Sequence, residues 1–145
     1  MKIKLFFGTI FTYILLIGCE STRLYEEAEC QEYHLNLTAP SLNKSNGYYA
    51  LQILSEYTQT FTTLNAETGS DSHQKLRFIS NKEINVNGYW INLIDSYSYT
   101  DEDGIAHGVI GAWPEFIGDT AIVYCGYEDE CDFQRVDSIK IIITE

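Results

Sequence analysis

The chain has 145 residues, with 21 acidic and 9 basic side chains and a formal net charge of −12. This length accommodates one domain, and the excess of acid argues against nucleic-acid binding through a basic face. It also argues against adhesion to an anionic membrane surface by charge alone. We therefore expect a single acidic domain with no nucleic-acid partner.

The first 18 residues have the pattern of an export signal. Lys2 and Lys4 form a short basic region, and residues 5–17 are almost entirely apolar. This apolar run is shorter than the roughly 20 residues that a membrane span needs. It ends in Leu16-Ile17-Gly18-Cys19, which is similar to the lipobox of bacterial lipoproteins and unlike an Ala-x-Ala cleavage site. The pattern predicts removal of the signal and attachment of lipid, palmitate included, at Cys19.

Lipidation at Cys19 would place the protein in the cell envelope. Lipoproteins of this type carry several acyl chains, and two or more chains hold a protein firmly. We expect this anchor to lie in the outer membrane, on its periplasmic or surface face. The alternative is a short membrane anchor with an incidental cysteine.

Loss of the two signal lysines would leave 7 basic and 21 acidic residues, a net charge of −14. Residues 19–31 are polar and acidic and are predicted to form a tether, followed by a folded domain at residues 32–145.

Three cysteines follow the lipobox, and export would permit a disulfide between two of them. Cys125 and Cys131 enclose five residues and could close a hairpin. Cys30 and Cys131 would close a loop of about 100 residues and constrain the unfolded chain more strongly. We slightly favour the second pair, which leaves Cys125 as a small buried residue. No spacing of His and Cys fits a zinc site, so no metal site of that type is predicted.

From residue 33 onward, apolar residues recur with a period of two, which is typical of half-buried β-strands. The segments with this pattern lie, in chain order, at residues 33–37, 49–53, 58–64, 75–78, 84–86, 89–91, 97–99, 105–112, 120–125 and 136–144. Asn46-Gly47 and Asn87-Gly88 are strong hairpin signals, and residues 101–104 form a further tight turn. No stretch shows a convincing amphipathic helix. Strands at this spacing predict an all-β sandwich of about seven to nine strands.

Residues 100–106 and 118–123 carry two short motifs. Their sequences, Thr-Asp-Glu-Asp-Gly-Ile-Ala and Gly-Asp-Thr-Ala-Ile-Val, resemble the closing half of bacterial immunoglobulin-like domains of the invasin and intimin type. Residues 61–66 and 75–78 are similar to the B and C strands of that family, and the resemblance covers roughly residues 47–144. It implies an immunoglobulin-like antiparallel β-sandwich. The chain departs from the family in its single module, its cysteines and the inserted residues 113–116, which argues against a spacer role.

The resemblance implies that three acidic loops share one end of the sandwich. These loops, residues 67–73, 101–104 and 126–132, are together named the acidic crown. Asp101, Asp103, Glu128 and Asp129 are candidate calcium ligands. Calcium takes six to eight oxygen ligands, which acidic loops can supply, although the later glutamate of an EF-hand loop is missing. The alternative, which we favour, is a set of solvated turns.

Eleven tyrosines and two tryptophans are many for a chain of this length. In a sandwich, aromatic rings usually serve cross-strand packing. An exposed platform of Trp90, Trp113 and tyrosines would instead bind a sugar or a protein. Core or sheet-face packing is therefore the default expectation, and the alternative is an unidentified protein or glycan partner.

Nothing in the sequence indicates catalysis. The three histidines lie on separate segments, and no Gly-x-Ser-x-Gly motif, metal-binding histidine pair or phosphate loop occurs. We therefore expect no enzymatic activity and no cofactor apart from the candidate calcium. The predicted function is that of a membrane-tethered envelope lipoprotein with a binding or structural module. The alternative is a small envelope inhibitor or an accessory subunit of a larger envelope complex.

Overall fold

The computed structural model describes residues 34–54, 58–69, 73–129 and 132–145. The predicted signal, Cys19 and the tether lie outside these ranges, as do Cys30 and Cys131. The strands are β1 (Asn36–Thr38), β2 (Asn43–Ser45), β3 (Tyr48–Gln52), β4 (Thr60–Glu67), β5 (Lys75–Ser80), β6 (Glu83–Val86), β7 (Tyr89–Asn92), β8 (Asp95–Tyr99), β9 (Ile105–Ala112), β10 (Thr120–Asp129) and β11 (Asp132–Thr144). The single helical segment within these ranges is a 3₁₀ turn, Pro114–Phe116. None of the described helical structure is long and apolar enough to cross a membrane.

Two sheets enclose the core. One has the strand order β1-β4-β9, and the other has the order β2-β3-β11-β10-β5-β8. β4 pairs with β9, whereas β5, the next strand along the chain, pairs with β10 in the opposite sheet. The chain thus passes from one sheet to the other between β4 and β5, as in β-sandwiches. The predicted all-β sandwich is confirmed.

The described part contains eleven strands, more than the expected seven to nine. β2 has no apolar residue and therefore gave no periodic signal, yet it pairs with β3 across the Asn46-Gly47 turn. β6 and β7 form a separate two-stranded hairpin between β5 and β8. β3 lies parallel to β11, so the sandwich is not wholly antiparallel.

The core is built from the inward residues of both sheets. On β11, Ile139, Ile141 and Ile143 alternate with more exposed residues, as the period of two predicts. The largest wholly buried side chains include Phe78 of β5 and Phe116 of the 3₁₀ turn. Burial of each such side chain contributes about 1.5–3 kcal/mol to folding. These contacts fix the sheets face to face and leave each sheet a solvent-facing outer surface.

Both predicted Asn-Gly hairpins are present. Asn46 and Gly47 have φ values of 51° and 82°, and Asn87 and Gly88 have φ values of 53° and 89°. Positive φ at both central residues is the requirement of a type I′ turn, whose twist matches that of the flanking strands. Glycine at the second position meets this requirement without the steric cost of a Cβ atom.

The last hairpin is longer than expected. Residues 126–132 were predicted to be a loop, which is wrong, because β10 continues to Asp129 and β11 begins at Asp132. The register shifts at Gly126, where a Cβ atom would collide with the backbone carbonyl of Gln134. This bulge lets pairing resume beyond it, with Glu128 opposite Phe133. The candidate calcium ligands Glu128 and Asp129 therefore belong to a strand and not to a loop.

Candidate functional site

The described parts of the acidic crown lie at one end of the sandwich. The Thr68 N–H donates a 3.0 Å hydrogen bond to the Gly104 carbonyl, and the His73 N–H donates one of 3.0 Å to the Thr100 carbonyl. These bonds join the segment after β4 to the segment before β9. The end of β10 lies at the same end, because Glu128 is 3.7 Å from Lys75 at the start of β5.

The structure gives the candidate calcium ligands separate roles. One carboxylate oxygen of Asp101 accepts hydrogen bonds from the N–H groups of Asp103 and Ile105, at 3.0 and 2.9 Å, and so fixes the turn. Glu128 faces basic residues of β5. No group of three metal-binding side chains occurs within the described ranges, which do not include the side chain of Asp129. A calcium site in the crown stays a prediction that this geometry does not support.

A different cluster occupies the outer face of the six-stranded sheet. Along one row of the register, Tyr97 lies opposite Arg77, Arg77 opposite Gly126, and Gly126 opposite Arg135. Neighbouring rows add rings and charges on the same face, because residues two apart on a strand point the same way. We name this surface the cation–aromatic face; it consists of Lys75, Arg77, Tyr97, Tyr99, Tyr124, Glu128, Phe133 and Arg135.

The cations of this face lie over aromatic rings. The Lys75 Nζ atom is 4.1 Å from the centre of the Tyr97 ring, and the Arg77 Cζ atom is 5.4 Å from it. The Arg135 Cζ atom is 4.4 Å from the centre of the Tyr124 ring. Each such contact at an exposed site is worth about 0.5–1 kcal/mol. The rings thus hold the positive groups against the sheet.

Ion pairs link the strands beneath this face. Arg77 binds Asp95 through two hydrogen bonds of 3.1 and 3.3 Å, and the Asp95 bond raises the pKa of the guanidinium. Glu128 is 3.7 Å from both Lys75 and Arg77. A hydrogen bond to Glu128 is the largest cause of the raised pKa of the Tyr97 hydroxyl. Glu128 therefore connects β10 to both β5 and β8.

Arg135 differs from the other cations of the face. It has no carboxylate within ion-pair distance among the described residues, whereas Arg77 has two. Its contact is the ring of Tyr124. Arg135 consequently keeps a guanidinium available for an external partner, next to a position, Gly126, that has no side chain.

The distribution of charge is uneven. Six basic residues lie within the described ranges, and three of them, Lys75, Arg77 and Arg135, belong to the cation–aromatic face. A chain with a net charge of −12 thus places half of its described cations on one side of one sheet. The described cations are therefore concentrated on one outer surface, where Glu128 and Asp95 pair with Lys75 and Arg77.

The two tryptophans lie in different environments. Trp90 and its neighbour Tyr89 are 69% and 75% exposed on the β6–β7 hairpin. Trp113 is half-buried and packs against the core, because it precedes the 3₁₀ turn that Phe116 anchors. Of the two tryptophan rings expected in an exposed platform, only that of Trp90 is therefore well exposed. The exposed tyrosines of the sheet, Tyr97 and Tyr99, belong to the cation–aromatic face.

Two further side chains with potentially reactive groups, Cys125 and His107, have structural contacts. Cys125 is a free, fully buried thiol in β10, and burial raises its pKa to about 12. His107 is exposed on β9, with its Nδ1 atom 3.0 Å from the Oδ1 atom of Asn65 on the neighbouring strand. A buried protonated thiol is a poor nucleophile, since the thiolate is the reactive form.

Comparison with known proteins finds no matching family model, no similar curated protein and no similar solved structure.

Proposed function

We propose that this protein is a membrane-tethered, non-enzymatic envelope lipoprotein whose immunoglobulin-like domain binds an acidic protein surface through the cation–aromatic face. The binding proposal rests on one observation: cations lie over aromatic rings on one outer face of an otherwise acidic domain. The lipobox-like sequence ending at Cys19 supports the tether.

A protein partner accounts for this face better than a glycan does. Arg and Tyr are enriched at the centres of protein interfaces, where they supply most of the binding energy. The ring of Tyr124 lies under Arg135, and the ring of Tyr97 lies under Lys75, so these ring faces are occupied by cations. A sugar would stack on an open ring face, whereas a carboxylate would approach the cation above it.

The absence of catalysis is part of the proposal. Cys125 is buried and protonated, and the acidic group at the centre of the face, Glu128, is engaged by two cations. Glu128 therefore serves ion pairs that join strands, and the Cys125 thiol is buried away from any substrate.

The binding face can be tested by charge reversal. Cross-linked envelope complexes would be recovered with the full-length wild-type chain, with Arg135→Glu and with Lys82→Glu. Lys82 is the matched control because it pairs with Asp119 at 3.1 Å and lies outside the face. We expect Arg135→Glu alone to reduce recovery of the specific partner at least tenfold. Equal recovery with Arg135→Glu and the wild type would refute the assignment of the face.

The same experiment separates the alternative function. A single partner recovered in stoichiometric amount would identify an accessory subunit or inhibitor of that complex. Recovery of acidic polysaccharide in place of protein would refute the choice of partner.

The tether has its own test. Cys19→Ala should abolish lipidation and shift the chain from the detergent phase to the aqueous phase, because several acyl chains hold a protein firmly in a membrane. Unchanged partition of the variant would contradict the anchor at Cys19. A matched Ser21→Ala variant should partition as the wild type does.

A further inference from the structure

An open hollow lies on the six-stranded sheet, at the bulge in the last hairpin. Its volume is about 210 Å³, and it is lined by Tyr124 of β10 and by residues 135–138 of β11. The register shifts by one residue between Asp137 and Arg135, so Val136 has no partner on β10. A bulge of this kind bends its strand and interrupts the ladder. The hollow therefore lies where β11 departs from regular pairing.

The ring of Tyr124 links the two hydrogen-bond donors of the hollow, Arg135 and Ser138. Arg135 is opposite Gly126 and Ser138 is opposite Tyr124, and both of these β10 residues flank the inward-facing Cys125. Arg135 and Ser138 consequently share the outer side of the sheet. The Arg135 Cζ atom is 4.4 Å from the centre of the Tyr124 ring, and directly opposite residues such as Tyr124 and Ser138 have Cβ atoms about 4.5–5.5 Å apart. The guanidinium and the hydroxyl thus border one ring and line one space.

The charge of Arg135 is not compensated within the described part of the chain. None of the ion pairs there includes Arg135, whereas Lys75, Arg77 and Lys82 each have a carboxylate at 3.1–3.7 Å. The contact with the ring restrains the guanidinium, so binding an anion would cost less side-chain entropy than with a freely rotating arginine. Arg135 is therefore a restrained cation beside an open space.

The carboxylate that lines the hollow has other partners. One oxygen of Asp137 accepts the N–H of Leu37 at 2.8 Å, and the other accepts the N–H of Ser138 at 2.7 Å. Leu37 is a buried residue of β1 in the other sheet, and Asp137 is opposite the buried Cys125. The Asp137 carboxylate is thus held toward the other sheet, which leaves the Arg135 guanidinium for an external anion.

We propose that this hollow binds one carboxylate group of the acidic partner, with the Arg135 guanidinium as a bidentate donor and the Ser138 hydroxyl as an additional donor. The inference rests on the proposed function and narrows the partner from an acidic surface to a single anchoring group. A carboxylate has two acceptor oxygens that match the guanidinium fork, and the paired hydrogen bonds are charge-assisted. An acidic side chain and the end of a chain present the same two oxygens.

The charge of the hollow favours a carboxylate over a phosphate group. Arg135 is the single cation in the described lining. A carboxylate carries one negative charge and balances it, whereas a phosphate monoester carries close to two at neutral pH. The second charge would stay uncompensated on a chain that already has a net charge of −12.

The test is a two-dimensional NMR titration of the full-length chain in neutral detergent at constant ionic strength. N-acetyl-Gly-Glu-Gly amide offers a side-chain carboxylate, N-acetyl-Gly-Gly-Gly offers a terminal carboxylate, and N-acetyl-Gly-Gln-Gly amide offers neither. With the wild type we expect saturable shifts of the Arg135 Nε–H and Ser138 backbone N–H signals for at least one acidic peptide, and none for the neutral peptide.

Substitutions at Arg135 separate fork geometry from charge. Arg135→Lys keeps the charge and loses the planar fork, so the dissociation constant should rise roughly tenfold or more, with the Ser138 N–H as the reporter. Arg135→Gln should abolish saturable binding. Lys44→Gln is the matched control and should bind as the wild type does, because Lys44 also lies over a ring, that of Tyr49 at 5.1 Å, but belongs to the edge strand β2. Unchanged signals outside the hollow show that each variant is folded.

The outcomes are distinct. Binding of the side-chain peptide alone identifies an acidic side chain of the partner, and binding of the terminal peptide alone identifies a chain end; either result, or binding of both peptides, supports the site. Equal affinity of the wild type and Arg135→Lys overturns the proposal, since a point charge would then be enough. Equal weakening by Lys44→Gln and Arg135→Gln overturns it as an effect of net charge, and so does the absence of saturable shifts with both acidic peptides.

Failure of this site is distinguishable from failure of the proposed function. If neither acidic peptide binds while Arg135→Glu still prevents recovery of the envelope partner, the face binds a partner without a carboxylate in the hollow. If a peptide binds and no envelope protein depends on Arg135, the hollow is a carboxylate site and the proposed function is wrong.

Discussion

Alkaline pH should destabilise the fold through Cys125. This thiol is fully buried in β10, where its residue pairs with Phe78 of β5. Burial raises its pKa from 9.0 to about 12, because the thiolate would lose its hydration in the core, while a hydrogen bond from the Gly126 backbone acts in the opposite direction. The folded and unfolded states therefore release this proton in different pH ranges.

The sign and size of the effect follow from linkage. Below pH 9 both states keep the thiol proton, and the stability associated with Cys125 is fully present. Between pH 9 and pH 12 the unfolded chain releases the proton while the folded chain retains it, so the unfolded state gains with rising pH. With these two pKa values, the loss reaches about 2 kcal/mol at pH 10.5.

Urea unfolding of the wild type and Cys125→Ala at pH 7.5 and pH 10.5 measures this loss. Titration of the eleven tyrosines affects both proteins and cancels in the comparison. Any packing cost of Cys125→Ala is the same at both pH values, so the stability advantage of the wild type should shrink by about 2 kcal/mol at the higher pH. An advantage that does not change between pH 7.5 and pH 10.5 would refute the reasoning.

Two further predictions concern the last hairpin and the entry of the chain into the domain. Gly126→Ala should lower the free energy of unfolding by about 3 kcal/mol or more. The new Cβ atom would collide with the backbone of Gln134, and a backbone group cannot rotate away as a side chain can. A urea midpoint equal to that of the wild type would contradict this expectation. Asp137→Ala should cost about 1.5–3 kcal/mol in the same assay, because it removes the charged acceptor of the Leu37 N–H and so the link between β1 and β11. The exposed Glu102→Ala is the control for the loss of one negative charge and should stay within about 0.5 kcal/mol of the wild type; equal effects of the two substitutions would show that the Leu37 bond is unimportant.

The strands could be predicted from the sequence to the extent that one face of each is buried. Ile139, Ile141 and Ile143 alternate with more exposed residues, and this period of two identifies β11 directly. Asn43–Ser45 has no apolar residue, and its pairing with β3 depends on the turn that follows it. The extension of the last hairpin was missed for a related reason, since acidic residues such as Glu128 usually indicate a turn, and here Lys75 and Arg77 compensate the charge.

The candidate site could be predicted only in part. The alternation Lys75-x-Arg77 and Tyr97-x-Tyr99 predicts that each pair points to one side of its strand. It does not predict that β5 and β8 are neighbours, which is what brings Lys75 to the ring of Tyr97.

Local pattern was therefore sufficient for the fold class and the Asn-Gly turns, because each of these depends on residues that are close in the chain; the lipid attachment expected at Cys19 stays a prediction. The tertiary structure determined which cations lie over which rings, which of them have a carboxylate partner, and that Trp113 is half-buried whereas Trp90 is exposed. These features depend on which strands become neighbours. Residues such as Arg77 and Arg135, which lie on opposite sides of Gly126, approach each other only after distant segments have paired.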